Sequence, residues 1–342
     1  ILYQFRKISR LLRIYLNCQG GQMADLQITS ISMAELIGNL KKQEWQVPQF
    51  QREYVWSIGD VNDFIFSIIN ARPIGMVTIW EQADGNNIEL GALSLPDKDS
   101  ATKEEFRKKI SADIPSPKNV FAILDGLQRC TSIALAFAGF HTDHKDYRTS
   151  GRFFLNVSAK DPIDQIVFVK EQDVISRGLN KDNICFSLGY FPLSSNIKDE
   201  EFMGQWMRYT QEIKNPANYP EGNLPPKDEL ERRDAILKNA FDGLIKTKLA
   251  VYIVPDNYSL ADICDIFQTL NTTGTKVSTV DLIHSWLYSD TQTNPTGPIR
   301  LRDWIDDFGQ KDGAIGWADA LNRPELIVQM VTACHVALEE KA

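Results

Sequence analysis

Ile123-Leu124-Asp125-Gly126-Leu127-Gln128-Arg129-Cys130-Thr131-Ser132 is where the chain passes from one kind of structure to another. Residues 119–124 form a short apolar run, centred on Val120-Phe121-Ala122-Ile123-Leu124, with the length and composition of a buried strand. Gly126 permits the positive φ of a tight turn. Residues 127–140 then carry helical spacing, with Gly139 as the stop. A strand that turns through Asp-Gly straight into a helix belongs to a mixed α/β architecture.

The same reading extends to both sides. Upstream, Ser32-Met33-Ala34-Glu35 is a capping box that opens a short helix through Leu40, and residues 45–48 read as a strand ending at proline. Ser57-Ile58-Gly59-Asp60 starts a second helix, with Val61, Phe64, Ile65, Ile68 and Ile69 on one face. Arg72-Pro73-Ile74-Gly75 stops it before a strand over 76–80, and residues 83–118 form a long polar loop with one helical turn near 104–110. Downstream come a strand pair at 153–157 and 166–169, a helix over 200–213, a loop over 216–227, a charged amphipathic helix over 229–244 and a strand over 249–254. Helices over 260–270 and 279–288 follow, and beyond Pro298 the pattern is helical throughout. The expected class is α+β: a small mixed sheet with flanking helices, followed by a helical segment. The organisation expected is a basic, disordered leader over 1–22, a main domain with loop insertions over 23–290, and the start of a truncated helical region over 291–342. The leader holds Arg6, Lys7, Arg10 and Arg13 without an acid, so a basic amphipathic helix touching membrane or nucleic acid is the rival reading.

Bulk composition excludes several classes. With 342 residues, 43% hydrophobic and 24% charged, the chain can bury more than one small core, and wholesale disorder is excluded. No apolar run approaches the roughly 20 residues needed to cross a bilayer. A net charge of −8 argues against binding nucleic acid through the overall field. Cys18, Cys130, Cys185, Cys264 and Cys334 are far apart and include no CxxC, so neither a zinc site nor a disulfide framework is indicated. Reduced thiols in a cytoplasm fit this pattern. No GxxxxGK[ST], GxSxG or HExxH motif is present, which disfavours P-loop NTPases, α/β-hydrolases and zincins.

Three segments carry candidate chemistry. In the first, Asp125 ends the strand, Gly126 makes the turn, and the helix start offers backbone N–H groups and a positive dipole end, an arrangement that binds anions. Arg129 adds a bidentate phosphate donor one turn in, while Asp125 could hold a metal–nucleotide or orient a water. The plain alternative is a βα turn with a surface arginine. In the second, Pro48-Gln49-Phe50-Gln51-Arg52-Glu53-Tyr54-Val55-Trp56, Arg52 could clamp phosphate and Tyr54 or Trp56 could stack on a base; alternatively the aromatics are core and Arg52 pairs with Glu53 or Asp60. In the third, Asn271-Thr272-Thr273-Gly274-Thr275-Lys276 is a tight inter-helix loop with Ser278 as the cap of the next helix. His141 and His144, three apart, lie after Gly139 and read as a solvated loop rather than a metal site; His284 and His335 read as structural. No metal ligands are assigned.

Taken in order, Val47-Pro48-Gln49-Phe50-Gln51-Arg52-Glu53-Tyr54-Val55-Trp56, then Leu124-Asp125-Gly126-Leu127-Gln128-Arg129, then Phe267, Leu270-Asn271, Gly274 and Asp281-Leu282 resemble the N-terminal domain of the GmrSD-type restriction endonucleases. That family's signatures read approximately IPxFQRxYVW, DGQQRLTTL and FxxLNxxGxxLSxxDL, and the resemblance spans about residues 28–290. It implies a ParB/sulfiredoxin-like core that binds and hydrolyses a nucleoside triphosphate, GTP or ATP alike, with Mg2+, and that regulates restriction of modified, often phage, DNA. Carried over, Asp125, Gln128 and Arg129 are the expected catalytic residues. Gln51, Arg52, Gly126, Thr131, Asn271 and Gly274 are the expected nucleotide-binding residues. Two positions depart from the pattern: Leu127 stands where the family has its first Gln, and Cys130-Thr131-Ser132 replaces Leu/Ile-Thr-Thr. The loss of an amide at Leu127 bears on water positioning more than on binding. The implied partners are nucleotide, DNA through the full-length protein or a partner, and an HNH-type nuclease domain or separate subunit, with no membrane. A homo-oligomer stays open.

Two other classes compete with a nucleotide-hydrolysing switch. One is a sensor of nucleotide or DNA without turnover, which Leu127 favours. The other is a nuclease in its own right, against which stand the acidic charge and the lack of a clustered carboxylate or histidine site.

Overall fold

The computed structural model describes residues 27–48, 54, 56–82, 90–91, 93, 120–139, 151–197, 200–220 and 223–258, with 262–263, 266 and 269–270 beyond them. Among these lie nine strands: β1 (Gln27–Ser32), β2 (Trp45–Pro48), β3 (Met76–Gln82), β4 (Leu90–Gly91), β5 (Val120–Asp125), β6 (Gly151–Asn156), β7 (Ile166–Lys170), β8 (Tyr190–Pro192) and β9 (Lys248–Val254). The α-helices among them are α1 (Met33–Lys41), α2 (Ile58–Ile69), α3 (Leu127–Ile133), α4 (Glu171–Ser176), α5 (Asp182–Leu188), α6 (Phe202–Glu212) and α7 (Lys227–Lys246).

Local signals in the sequence place the first helices. Ser32 Oγ accepts the Glu35 amide at 3.1 Å, and α1 then buries Met33, Leu36, Ile37 and Leu40 at helical spacing. The Ser57 box closes in both directions: Ser57 Oγ accepts from the Asp60 amide at 3.2 Å and Asp60 Oδ2 accepts from the Ser57 amide at 2.8 Å. Hydrogen bonds from the Ser57 hydroxyl and amide hold the Asp60 carboxyl below its ordinary range.

Two sheets result. The larger has the order β1-β9-β3-β5-β2-β4 and is mixed, with β9–β3 and β5–β2 parallel and the other neighbours antiparallel. The smaller is antiparallel, in the order β7-β6-β8. β3 and β5 are covered on both faces. Val77, Ile79 and Ile123 join the main core, while Trp80, Ala122 and Leu124 pack with Val254, Tyr258 and Ile263 on the other side. A strand buried on both faces reads as an unbroken apolar run, which is why 120–124 has no alternation. The main core continues without a break into the smaller sheet through Phe153, Leu155 and Phe191, and on to Phe202 and Trp206 of α6.

The expected α+β class is the observed one. The strand pair near 153–157 and 166–169 is β6–β7, and the helices expected over 200–213 and 229–244 are α6 and α7. The helix expected over 127–140 differs: α3 stops at Ile133 and a π-helical turn, Ala134–Ala138, continues to Gly139, which has φ 76°. Ala134, Leu135, Ala136 and Phe137 are all buried, and Ala138 is partly buried. Sequence spacing did not anticipate β1, β4, β8, α4 or α5, all of six residues or fewer except α5, which has seven. The basic leader, nearly all of the 83–118 loop, the four histidines and the region from 271 onward lie outside the described residues. Among the described residues no helix is long and apolar enough to cross a membrane, and no group of three His, Cys, Asp or Glu could hold a metal ion.

Candidate functional site

The antiparallel register of β3 with β5 pairs Thr78 with Asp125, with an irregularity between Thr78 and Ile79. The start of β3 therefore lies beside the end of β5, and the turn entering β3, Gly75-Met76, flanks the turn leaving β5, Asp125-Gly126. Gly126 has φ 96°, and a Cβ there would sit 2.5 Å from Val77 Cγ2. Only glycine allows both the conformation and the approach of the two backbones. Gly126 is also the N-cap of α3, whose start has no side-chain cap.

Arg129 reaches back across this junction. Its Nη1 donates to the Met76 carbonyl at 2.8 Å and lies 3.6 Å from Asp125 Oδ2. The guanidinium rests on Gly75, where a Cβ would come within 3.0 Å of Nε. The Arg129 and Asp125 side chains are 32% and 36% exposed, so solvent or a ligand can reach both. A charged fork, a carboxylate and two glycine turns thus share one end of the sheet.

The other residues of the segment face inward. Gln128 is buried, and its Oε1 accepts the Trp56 amide at 3.3 Å. Ser132 Oγ donates to the Gln128 carbonyl at 2.8 Å and meets Tyr54 OH at 2.8 Å, so the tyrosine is the donor of that second bond. Thr131 is buried as well. Burial pushes the Cys130 thiol up to about 12, with Asp125 raising it further and Arg129 opposing. Tyr54 is 6% exposed and Trp56 stacks edge-on against Phe64 at 5.2 Å, so these aromatics are packing residues, as the second reading of that segment had it.

Gln51, Arg52, Asn271 and Gly274 lie outside the described residues. The flanks of the first pair are nevertheless fixed beside the turn. β2 runs parallel to β5, with Trp45 opposite Phe121 and Gln46 opposite Ala122, so both strands end at the same edge of the sheet. On the other flank, Tyr54 and Trp56 are bonded to α3. The residues that sequence reasoning missed are Gly75 and Met76. Arg72-Pro73-Ile74-Gly75 reads locally as a helix stop, and only the pairing of β3 with β5 brings it to Arg129.

Comparison with known proteins adds two findings. A family profile described as GmrSD restriction endonuclease, N-terminal domain, matches residues 33–288, well over half of the chain. An uncharacterised protein of Methanocaldococcus jannaschii is 24% identical over 290 residues, which cover 81% of this chain and 43% of that protein. The chain thus corresponds to less than half the length of that relative.

Proposed function

This chain belongs to the GmrSD restriction endonuclease N-terminal domain family, and on that premise we propose that its Asp125–Arg129 turn binds the phosphates of a nucleoside triphosphate. The observation that carries this reading is the half-exposed Arg129 guanidinium, held against Gly75 and Met76 O beside Asp125. A guanidinium presents N–H donors in a planar fork that matches phosphate oxygens. The contact to Asp125 at 3.6 Å is longer than a hydrogen bond, so phosphate can replace it at little cost.

In this reading Asp125 orients water at the terminal phosphate or accepts Mg2+. A single half-exposed carboxylate fits Mg2+, which is commonly held by one or two carboxylates together with substrate phosphates. The ion would supply charge neutralisation between Asp125 and the phosphates. Gln51, Arg52, Gly126, Asn271 and Gly274 are the further nucleotide-site residues proposed from the family motifs, with GTP and ATP both admitted; Thr131, which the motifs also imply, is buried behind the turn. Nucleotide occupancy would regulate DNA restriction or phage defence carried out by an HNH-type nuclease domain or subunit. Leu127, which brings no amide to the turn, favours a second reading in which nucleotide is sensed without hydrolysis.

The test is titration of the chain with ATP and with GTP in the presence of Mg2+, following binding and phosphate release, beside Arg129→Ala. Loss of the bidentate donor is expected to weaken binding by about 10- to 100-fold, the range of a charge-assisted pair. Binding without release supports the sensor. Equal binding by wild type and Arg129→Ala would remove this site from consideration.

A further inference from the structure

Two residues of the segment before α2, Tyr54 and Trp56, are held against the helix that follows the turn. Tyr54 and Trp56 come from the segment between β2 and α2, more than seventy positions upstream of α3. Two contacts hold them there. Trp56 N–H donates to Gln128 Oε1, and Tyr54 OH donates to Ser132 Oγ, which in turn donates to the Gln128 carbonyl. Gln128 is 7% exposed, Ser132 fully buried and Tyr54 6% exposed, so water cannot readily substitute for these partners. Gln128 and Ser132 are one turn apart on a single face of α3, and both ends of Gln128, side chain and carbonyl, are engaged.

We propose that Gln128 and Ser132 are positioning residues that clamp Tyr54 and Trp56 onto α3, and that Gln128 acts through this clamp rather than on a reacting atom. The functional half of this proposal rests on the nucleotide reading above; the clamp itself does not. Gln128 has an inward placement, whereas Arg129 beside it faces solvent at the turn. The clamp requires an acceptor at position 128 for the Trp56 amide. A catalytic role would need the same side chain to reach phosphate or water, whereas its oxygen is engaged with Trp56 on the buried side of α3.

The experiment combines hydrogen exchange of the peptide covering Trp56 with steady-state kinetics or, without turnover, nucleotide titration. Gln128→Leu is expected to speed exchange of the Trp56 amide by about tenfold, the effect of one net hydrogen bond. It should raise KM or Kd for nucleotide by about the same factor, through lost pre-organisation, with kcat nearly unchanged. Gln128→Glu keeps an oxygen acceptor and should restore slow exchange. Tyr54→Phe and Ser132→Ala should each reproduce the faster exchange, and the double variant should exceed Ser132→Ala by less than the Tyr54→Phe effect, because Ser132→Ala already removes the bond the two share. Unchanged exchange in Gln128→Leu overturns the clamp. Faster exchange with unaltered nucleotide affinity overturns its functional role, as does a fall in kcat at constant KM, which would make Gln128 catalytic. If wild type binds no nucleotide while exchange responds as described, the clamp stands and the nucleotide reading falls.

Discussion

Gly126 is the residue on which the junction depends, because its two demands are independent. A left-handed φ costs an L-residue about 1–2 kcal/mol, and a Cβ 2.5 Å from Val77 Cγ2 adds a packing conflict of about 1–3 kcal/mol. Gly126→Ala should therefore lower stability in denaturant titration by about 2–5 kcal/mol, and Val77→Ala in the same background should return part of the loss by removing the clash but not the strain. If Val77→Ala returns nothing, the contact with Val77 Cγ2 is not what selects glycine. Cys130 gives a second residue-scale expectation. Burial pushes its thiol, and that of Cys185, up to about 12 from an ordinary value of 9.0. The folded protein therefore keeps these protons where the unfolded chain loses them, so stability is fully present below pH 9.0 and falls as pH rises toward about 12. Iodoacetamide at neutral pH should label both cysteines only after denaturation; labelling of native protein would contradict their burial.

At the scale of elements, helix ends decide how the site is framed. α2 begins at the Ser57–Asp60 box directly after the clamped Trp56, so the box fixes the direction in which the chain leaves the site. Ser57→Ala removes one half of the box and should cost about 1 kcal/mol by thermal or chemical unfolding. The far end of α2 is tied to α7, where the buried Thr247 Oγ1 donates to the Ile68 carbonyl at 2.7 Å. Thr247→Val keeps the shape but removes one donor from that carbonyl, which still accepts the Ala71 amide at 3.1 Å, for an expected loss of about 1 kcal/mol. A loss near zero would mean that the backbone N–H groups at the end of α2 satisfy Ile68 O by themselves.

For the whole molecule, the two sheets share one core. Phe153, Leu155 and Phe191 of the smaller sheet belong to the same buried cluster as Val77, Ile123 and Val251 of the larger. A contiguous core has no internal boundary at which one sheet could melt alone. Leu155→Ala is thus expected to cost about 2–5 kcal/mol and to lower the melting of both sheets together. Separate transitions, one reported by Trp206 of α6 and another by Trp80 of β3, would show two independent units instead.

The sequence by itself determined what depends on neighbours along the chain. The Ser32 and Ser57 caps, the apolar faces of α1 and α2, the buried run of β5 and the turn at Gly126 all follow from residues within a few positions of one another. So does the placing of Asp125 and Arg129 as partly exposed charges at the strand-to-helix turn. Elements as short as β4 and β8 carry too few residues for a period to register, and their pairing partners supply what their own sequences lack. Only the tertiary structure decided that Gly75 and Met76 belong to the candidate site, because the Thr78–Asp125 register joins them to Arg129 across more than fifty residues of chain. It alone decided that Gln128 faces Trp56 while Arg129 faces solvent. Helical spacing separates their directions by about 100°, but which direction is inward depends on the segment that packs there.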